Sequence, residues 1–198
     1  MPRLRVDGAA TPPLPVYLVI GQSNAVGAGA NISDLSTAWK APQPNTQVFY
    51  ANAWPKLAPG VVQPDYFGPE ISFGKRISPY GKIGIIKGSV NATNLAVDWS
   101  PTRAGSLYFK MLDMIQTAKV TKPIKIAGIV WMQGESDAKD AAMAKNYGAN
   151  LVAFIQAWRR DLADQSIPFA ACRVNPPHGE FPYAADVRAG EEGVTLPG

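Results

Sequence analysis

A chain of 198 residues is long enough to bury one substantial core and too short for two comfortable ones, so residues 1–198 read as a single domain. An apolar share of 46% against 17% charged residues is that of a globular protein, and 18 glycines with 18 prolines announce many shaped loops. The net charge of +4 is scattered, with Lys75-Arg76 and Arg159-Arg160 the only basic doublets and no aromatic-interleaved basic run, which argues against a nucleic-acid partner.

Cys172 is the one cysteine and His178 the one histidine, so no internal disulfide and no thiolate or histidine set for a metal is expected. The chemistry should need neither metal nor organic cofactor. No apolar run approaches membrane-spanning length, and residues 1–5 lack the apolar stretch of a leader. No membrane partner is expected, and the compartment stays open.

In chain order, residues 1–15 read as a Pro-rich, polar N-terminal arm. Residues 16–20 form a short continuous apolar run, the pattern of a strand buried on both faces. A Gly- and Asn-rich turn follows at 21–31, then a second strand at 46–50 and a long Pro-rich loop at 52–69. Residues 71–77 suit a short helix and 82–87 a third strand. Leu107, Tyr108, Met111, Leu112 and Ile115 fall at helical spacing and precede a fourth strand at 124–131. Tyr147, Leu151, Phe154, Ile155, Trp158 and Leu162 mark a longer amphipathic helix. A fifth apolar run at 167–174 and a short helix at 183–189 complete the pattern. Strands alternating with helices imply a parallel, doubly wound sheet, with sites beyond the carboxyl ends of its strands.

Two polar clusters stand just after apolar strands, Gly21-Gln-Ser-Asn24 and Gln133-Gly-Glu135, with a third candidate at 89–94. A serine on a tight strand-to-helix turn exposes its hydroxyl while nearby N–H groups point at an oxyanion formed by its attack. The plain alternatives are a helix cap for Ser23 and Asn24, and loop-amide partners for Gln133 and Glu135. Recurrence of such clusters at one end of one sheet favours a site.

The blocks Gly21-Gln-Ser-Asn-Ala-Val-Gly-Ala-Gly29, Phe67-Gly-Pro-Glu-Ile-Ser-Phe-Gly74, Thr93-Asn-Leu-Ala-Val-Asp-Trp99 and Ile129-Val-Trp-Met-Gln-Gly-Glu-Ser-Asp-Ala138 resemble, in order, those of the sialate O-acetylesterase and acetyl xylan esterase group of the SGNH hydrolases. The resemblance spans roughly residues 15 to 190. It implies a flavodoxin-like three-layer α/β/α sandwich, and a serine esterase acting on acetyl esters of O-acetylated carbohydrates. By position, Ser23 resembles the nucleophile and an oxyanion donor through its own N–H. Gln133 resembles the side-chain donor to the oxyanion. Glu135 resembles the family acid that shapes the site or orients the catalytic histidine. Asn24 is a candidate for positioning the turn or the substrate. Trp54, with Tyr66 and Phe67, is a candidate for stacking on a sugar ring or for merely covering the sheet. Family localisation leans to secreted or periplasmic.

Two departures stand out. Where the family reads Gly-Gly-Thr, this chain reads Asn91-Ala92-Thr93, so Asn91 keeps the backbone N–H of an oxyanion donor without a glycine's freedom. The family also continues to a further strand, an Asp-x-x-His base and a closing helix, none of which is present by residue 198. His178 is the one candidate to replace that base, and its alternative is a loop histidine or a substrate contact. An uncovered C-terminal edge would invite a homodimer. The rival functions are a carbohydrate-binding remnant without turnover and a small-acyl lipase or thioesterase.

Overall fold

The computed structural model describes residues 11–177 and 179–195. Its strands are β1 (Leu14–Gly21), β2 (Thr46–Phe49), β3 (Ile83–Ser89), β4 (Ile124–Met132) and β5 (Phe169–Ala171). All pair in parallel, in the order β2-β3-β1-β4-β5. With edge strand β2 set aside, β3-β1-β4-β5 run second, first, third and fourth in the chain, the winding order of flavodoxin. The expected α/β architecture is therefore present, with one added edge strand.

The helices are α1 (Ser23–Val26), α2 (Thr37–Lys40), α3 (Pro69–Ile77), α4 (Leu107–Thr121), α5 (Ala141–Asp161) and α6 (Ala184–Glu192). Central position explains the apolar run of β1: neighbours on both edges and helices on both faces leave it no solvated side. Successive side chains of a strand point to opposite faces. Leu18 and Ile20 accordingly share one core with Tyr108, Met111 and Ile115 of α4 and Leu151 and Phe154 of α5, whereas Val19 joins Val48, Ile85, Leu57 and Ile71 of α3 in a second.

Local signals set the helix ends. Pro69 opens α3, where its missing N–H is no loss. The Asp140 side chain caps α5 by accepting from the N–H groups of Ala142 and Met143, both at 2.9 Å. Helix α6 lies against α5 where Gly148 meets Gly190, so closely that a Cβ on Gly190 would stand 2.7 Å from the Gly148 nitrogen.

The fifth apolar run is shorter as a strand than expected. Only Phe169–Ala171 pair with Ile129–Trp131, since Pro168 has no N–H to give the ladder. Past Cys172, whose N–H still reaches Trp131 O, the chain leaves the sheet, and the Val174 N–H turns to the Glu191 carboxylate at 3.1 Å.

Candidate active site

The serine turn is held down by backbone proximity. Gly21, the last residue of β1, has φ +144°, and a Cβ there would lie 2.0 Å from Met132 O. Only glycine lets β1 and β4 come this close at the point where α1 begins. The Gln22 N–H donates to the same Met132 carbonyl at 2.9 Å, and Ser23 starts α1 half-buried. The turn ends at Gly27, φ +89°, whose close approach to Phe67 O also excludes a Cβ.

Three loops leave the carboxyl ends of β1, β3 and β4, and side chains of the β1 and β4 loops interlock with one another and with the backbone of the β3 loop. Gln133, 1% exposed, brings its Nε2 to Gln22 Oε1 (3.0 Å), Thr93 O (2.9 Å) and Asp137 Oδ2 (2.6 Å). Its Oε1 accepts from the Tyr147 hydroxyl at 3.2 Å. Gln22 Oε1 also accepts the Ser136 N–H, and Gln22 Nε2 stands 3.5 Å from Ser23 Oγ, at the outer limit of a hydrogen bond. Asp137, fully buried, accepts the N–H groups of Leu95 and Ala96 and so clasps the β3 loop to the β4 loop. Burial raises the Asp137 carboxyl above the usual carboxylate range, and the donations from Leu95, Gln133 and Ala96 only partly oppose it.

The sequence-derived candidates fall into three groups. Ser23, Asn24, Gln133 and Glu135 come together: Asn24 Nδ2 donates to Glu135 Oε1, while the other Glu135 oxygen is buried without a partner among the described residues. Asn91 stands beside them, because the Val90 N–H bonds to Gly21 O at 3.1 Å. The left-handed residue of this turn is its neighbour Ala92, φ +56°, so Asn91 itself carries no glycine-only angle. Trp54 lies elsewhere. Its Nε1 donates to Thr121 Oγ1 at the end of α4, and its ring abuts Gly84, at the opposite end of the sheet from Ser23. Trp54 therefore packs the bottom of the sheet and does not reach the site. His178 lies outside the described residues.

The Gln133 amide nitrogen is fully engaged within the protein. An amide nitrogen has two hydrogens, and this one faces three acceptors. As placed, Gln133 fastens the three loops.

Several contributors were not singled out from the sequence. Asp137 and Gln22 lie inside the blocks quoted above, and a signal for them was their position one or two residues from Ser23 and Glu135. Lys87 of β3 and Glu70 of α3 form a buried ion pair with Nζ 2.8 Å from Oε2, a charge contact rather than an aligned hydrogen bond. Lys87 also donates to Val26 O at 2.9 Å, the carbonyl that ends α1, and Glu70 Oε1 accepts the Gly68 N–H at 3.0 Å. Finally, α6 brings Glu191 near Glu135. Burial, opposed by the Val174 N–H and reinforced by the Glu135 charge, pushes Glu191 up to about 7. No three His, Cys, Asp or Glu side chains gather as a metal cage among the described residues.

The carboxyl end of the central strand, where the polar loops of this parallel α/β sheet converge, is where α/β proteins hold their sites. A family model described as carbohydrate esterase, sialic acid-specific acetylesterase, matches residues 13–197, and the chain belongs to that family. It is 26% identical to a probable carbohydrate esterase of Arabidopsis thaliana, over 93% of this chain and 77% of that one. The crystal structure of an Arabidopsis thaliana protein superposes with a TM-score of 0.80 at 23% identity, covering 93% of this chain and 83% of that one. NanS superposes at 0.67 with 18% identity, covering 92% and 75%. A carbohydrate acetylesterase of Xanthomonas citri superposes at 0.65 with 20% identity, covering 91% and 47%.

Proposed function

We propose that this chain is a serine esterase that removes acetyl groups from carbohydrate hydroxyls through an acetyl-enzyme on Ser23. The observation that carries the reading is the placement of Ser23 at the first turn of α1, straight after the central strand, beside the β3 turn and the Gln133 to Asp137 loop. Ser23 Oγ attacks the acetyl carbonyl carbon, and the N–H groups of Ser23 and Asn91 receive the charge that develops on its oxygen. Gln133 holds the loops that present those donors. His178 is the proton acceptor of the scheme: it takes the serine proton, returns it to the departing sugar hydroxyl, and then activates water against the acetyl-enzyme. Glu135, anchored through Asn24, supports that histidine or the loops around it.

The test is hydrolysis of a chromogenic acetyl ester and of acetylated xylan by the wild-type chain beside Ser23→Ala. The expected result is turnover that falls by roughly a thousandfold or more in the variant. Equal rates in both proteins, or an inert but folded wild type, would overturn the proposal.

A further inference from the structure

The β3 turn that carries Asn91 is fastened on both sides and open in the middle. At its start the Val90 N–H donates to Gly21 O at 3.1 Å, tying the turn to the end of β1, two residues before Ser23. Thr93 closes it from within: its hydroxyl donates to Val90 O at 2.9 Å and accepts the Trp99 Nε1–H at 3.0 Å. Beyond Thr93 the Leu95 and Ala96 N–H groups reach Asp137, at 2.9 Å from Oδ2 and 3.3 Å from Oδ1. Between these anchors Asn91 and Ala92 are exposed.

Asp137 anchors the turn from the β4 loop. It has no exposed surface, and the carboxylate that takes the two N–H groups also takes Gln133 Nε2 at 2.6 Å. Without that acceptor the buried Leu95 N–H is unpaired, which costs free energy until the loop shifts. For an oxyanion donor, position matters more than the strength of the bond that holds it. A backbone N–H helps only when it stands about 2.7 to 3.1 Å from the place the charged oxygen will occupy, and a displacement of about 1 Å costs on the order of a hundredfold in rate.

We infer that Asp137 is a positioning residue for ester hydrolysis: its carboxylate holds the β3 turn so that the Asn91 N–H meets the acetyl oxygen as charge develops there. The inference rests on Ser23 being the nucleophile and Asn91 a donor. Because that donor is needed in the transition state more than in the bound ester, loss of the Asp137 anchor lowers kcat and leaves KM in place.

The experiment measures kcat and KM for p-nitrophenyl acetate, and the urea midpoint, in the wild type and three variants. Asp137→Asn keeps the shape of the side chain but replaces one acceptor oxygen with an NH2 group. Thr93→Val keeps Asp137 and loosens the same turn from within. Asp140→Ala removes the cap of α5 and lowers stability without touching the turn. The expected result is a kcat lower by roughly a hundredfold in Asp137→Asn and roughly tenfold in Thr93→Val, with KM within about twofold of the wild type. Asp140→Ala should lower the urea midpoint and keep the wild-type kcat.

A folded Asp137→Asn with the kcat of the wild type overturns the inference, as does a kcat loss that Asp140→Ala shares. If Asp137→Asn does not fold, Thr93→Val decides, since a turn that can be loosened at no loss of kcat is not one through which Asp137 acts. In each of these cases an active wild type leaves the esterase reading intact. A folded but inert wild type overturns the esterase reading and the inference with it.

Discussion

Replacing Lys87 by methionine tests how the nucleophile turn is anchored. The Lys87 and Glu70 side chains are 2% and 5% exposed, so the substitution strands a carboxylate in the interior and leaves Val26 O without its donor. Breaking a buried pair from one side typically costs about 3 to 5 kcal/mol, a large part of the roughly 5 to 15 kcal/mol that holds a domain of this size together. Glu70→Leu should cost a similar amount, because it strands the ammonium instead. The double variant removes both charges and leaves only Gly68 N–H and Val26 O short of partners, about 1 to 2 kcal/mol each. It should therefore be clearly more stable than the sum of the single losses implies. Urea denaturation at 15 °C gives the four stabilities of the cycle, with ester hydrolysis measured on the same samples. Since Val26 O closes α1 one turn past Ser23, the singles should also lose turnover while folded. A single-variant loss below about 1 kcal/mol, or a double variant equal to the sum of the singles, would refute the buried-pair argument.

Two further outcomes are expected. Ala92 holds a left-handed backbone at φ +56°, so Ala92→Gly should raise the urea midpoint by the equivalent of about 1 kcal/mol, whereas Asn91→Gly should not; a loss in Ala92→Gly would contradict the assigned turn. Glu191 is raised from 4.5 to about 7, so the fold favours its neutral form, and the stabilisation is complete below pH 4.5 and lost as pH rises through 7. Because the group is only about half buried, screening reduces the effect to on the order of 1 kcal/mol between pH 5 and 8. Glu191→Gln should flatten that part of the stability profile, and an unchanged slope would show that another group carries it.

Legibility from sequence followed burial. Strands β1, β3 and β4 announce themselves because side chains enclosed on both faces must be apolar throughout, and α5 does so because one face packs while the other is wet. The extent of edge strand β5 is not legible, since apolarity from 167 to 174 is satisfied equally by a strand and by a loop packed under α6. The sequence leaves Trp54 open between stacking on a sugar and covering the sheet, and it covers the sheet. A Pro-rich loop without periodicity does not reveal which end of the sheet it visits, and this one returns to the floor at Thr121. Ser23, Gln133 and Glu135 were legible as polar residues at strand ends, but the Lys87 and Glu70 pair was not. A buried charge and a solvated one are written with the same letter, and the one hint was a lysine ending the apolar run of β3.

The Gln22, Gln133 and Asp137 assembly explains why a site that the sequence marks only by short polar clusters has a definite geometry. Each of the three is at most 3% exposed, and their contacts join the loops after β1, β3 and β4. An unpaired buried amide or carboxylate costs more than an exposed one, so these loops reach their full set of hydrogen bonds in one arrangement and lose several together in any other. The two hydrogens of Gln133 are shared among three acceptors, which leaves one contact weaker than it would be alone.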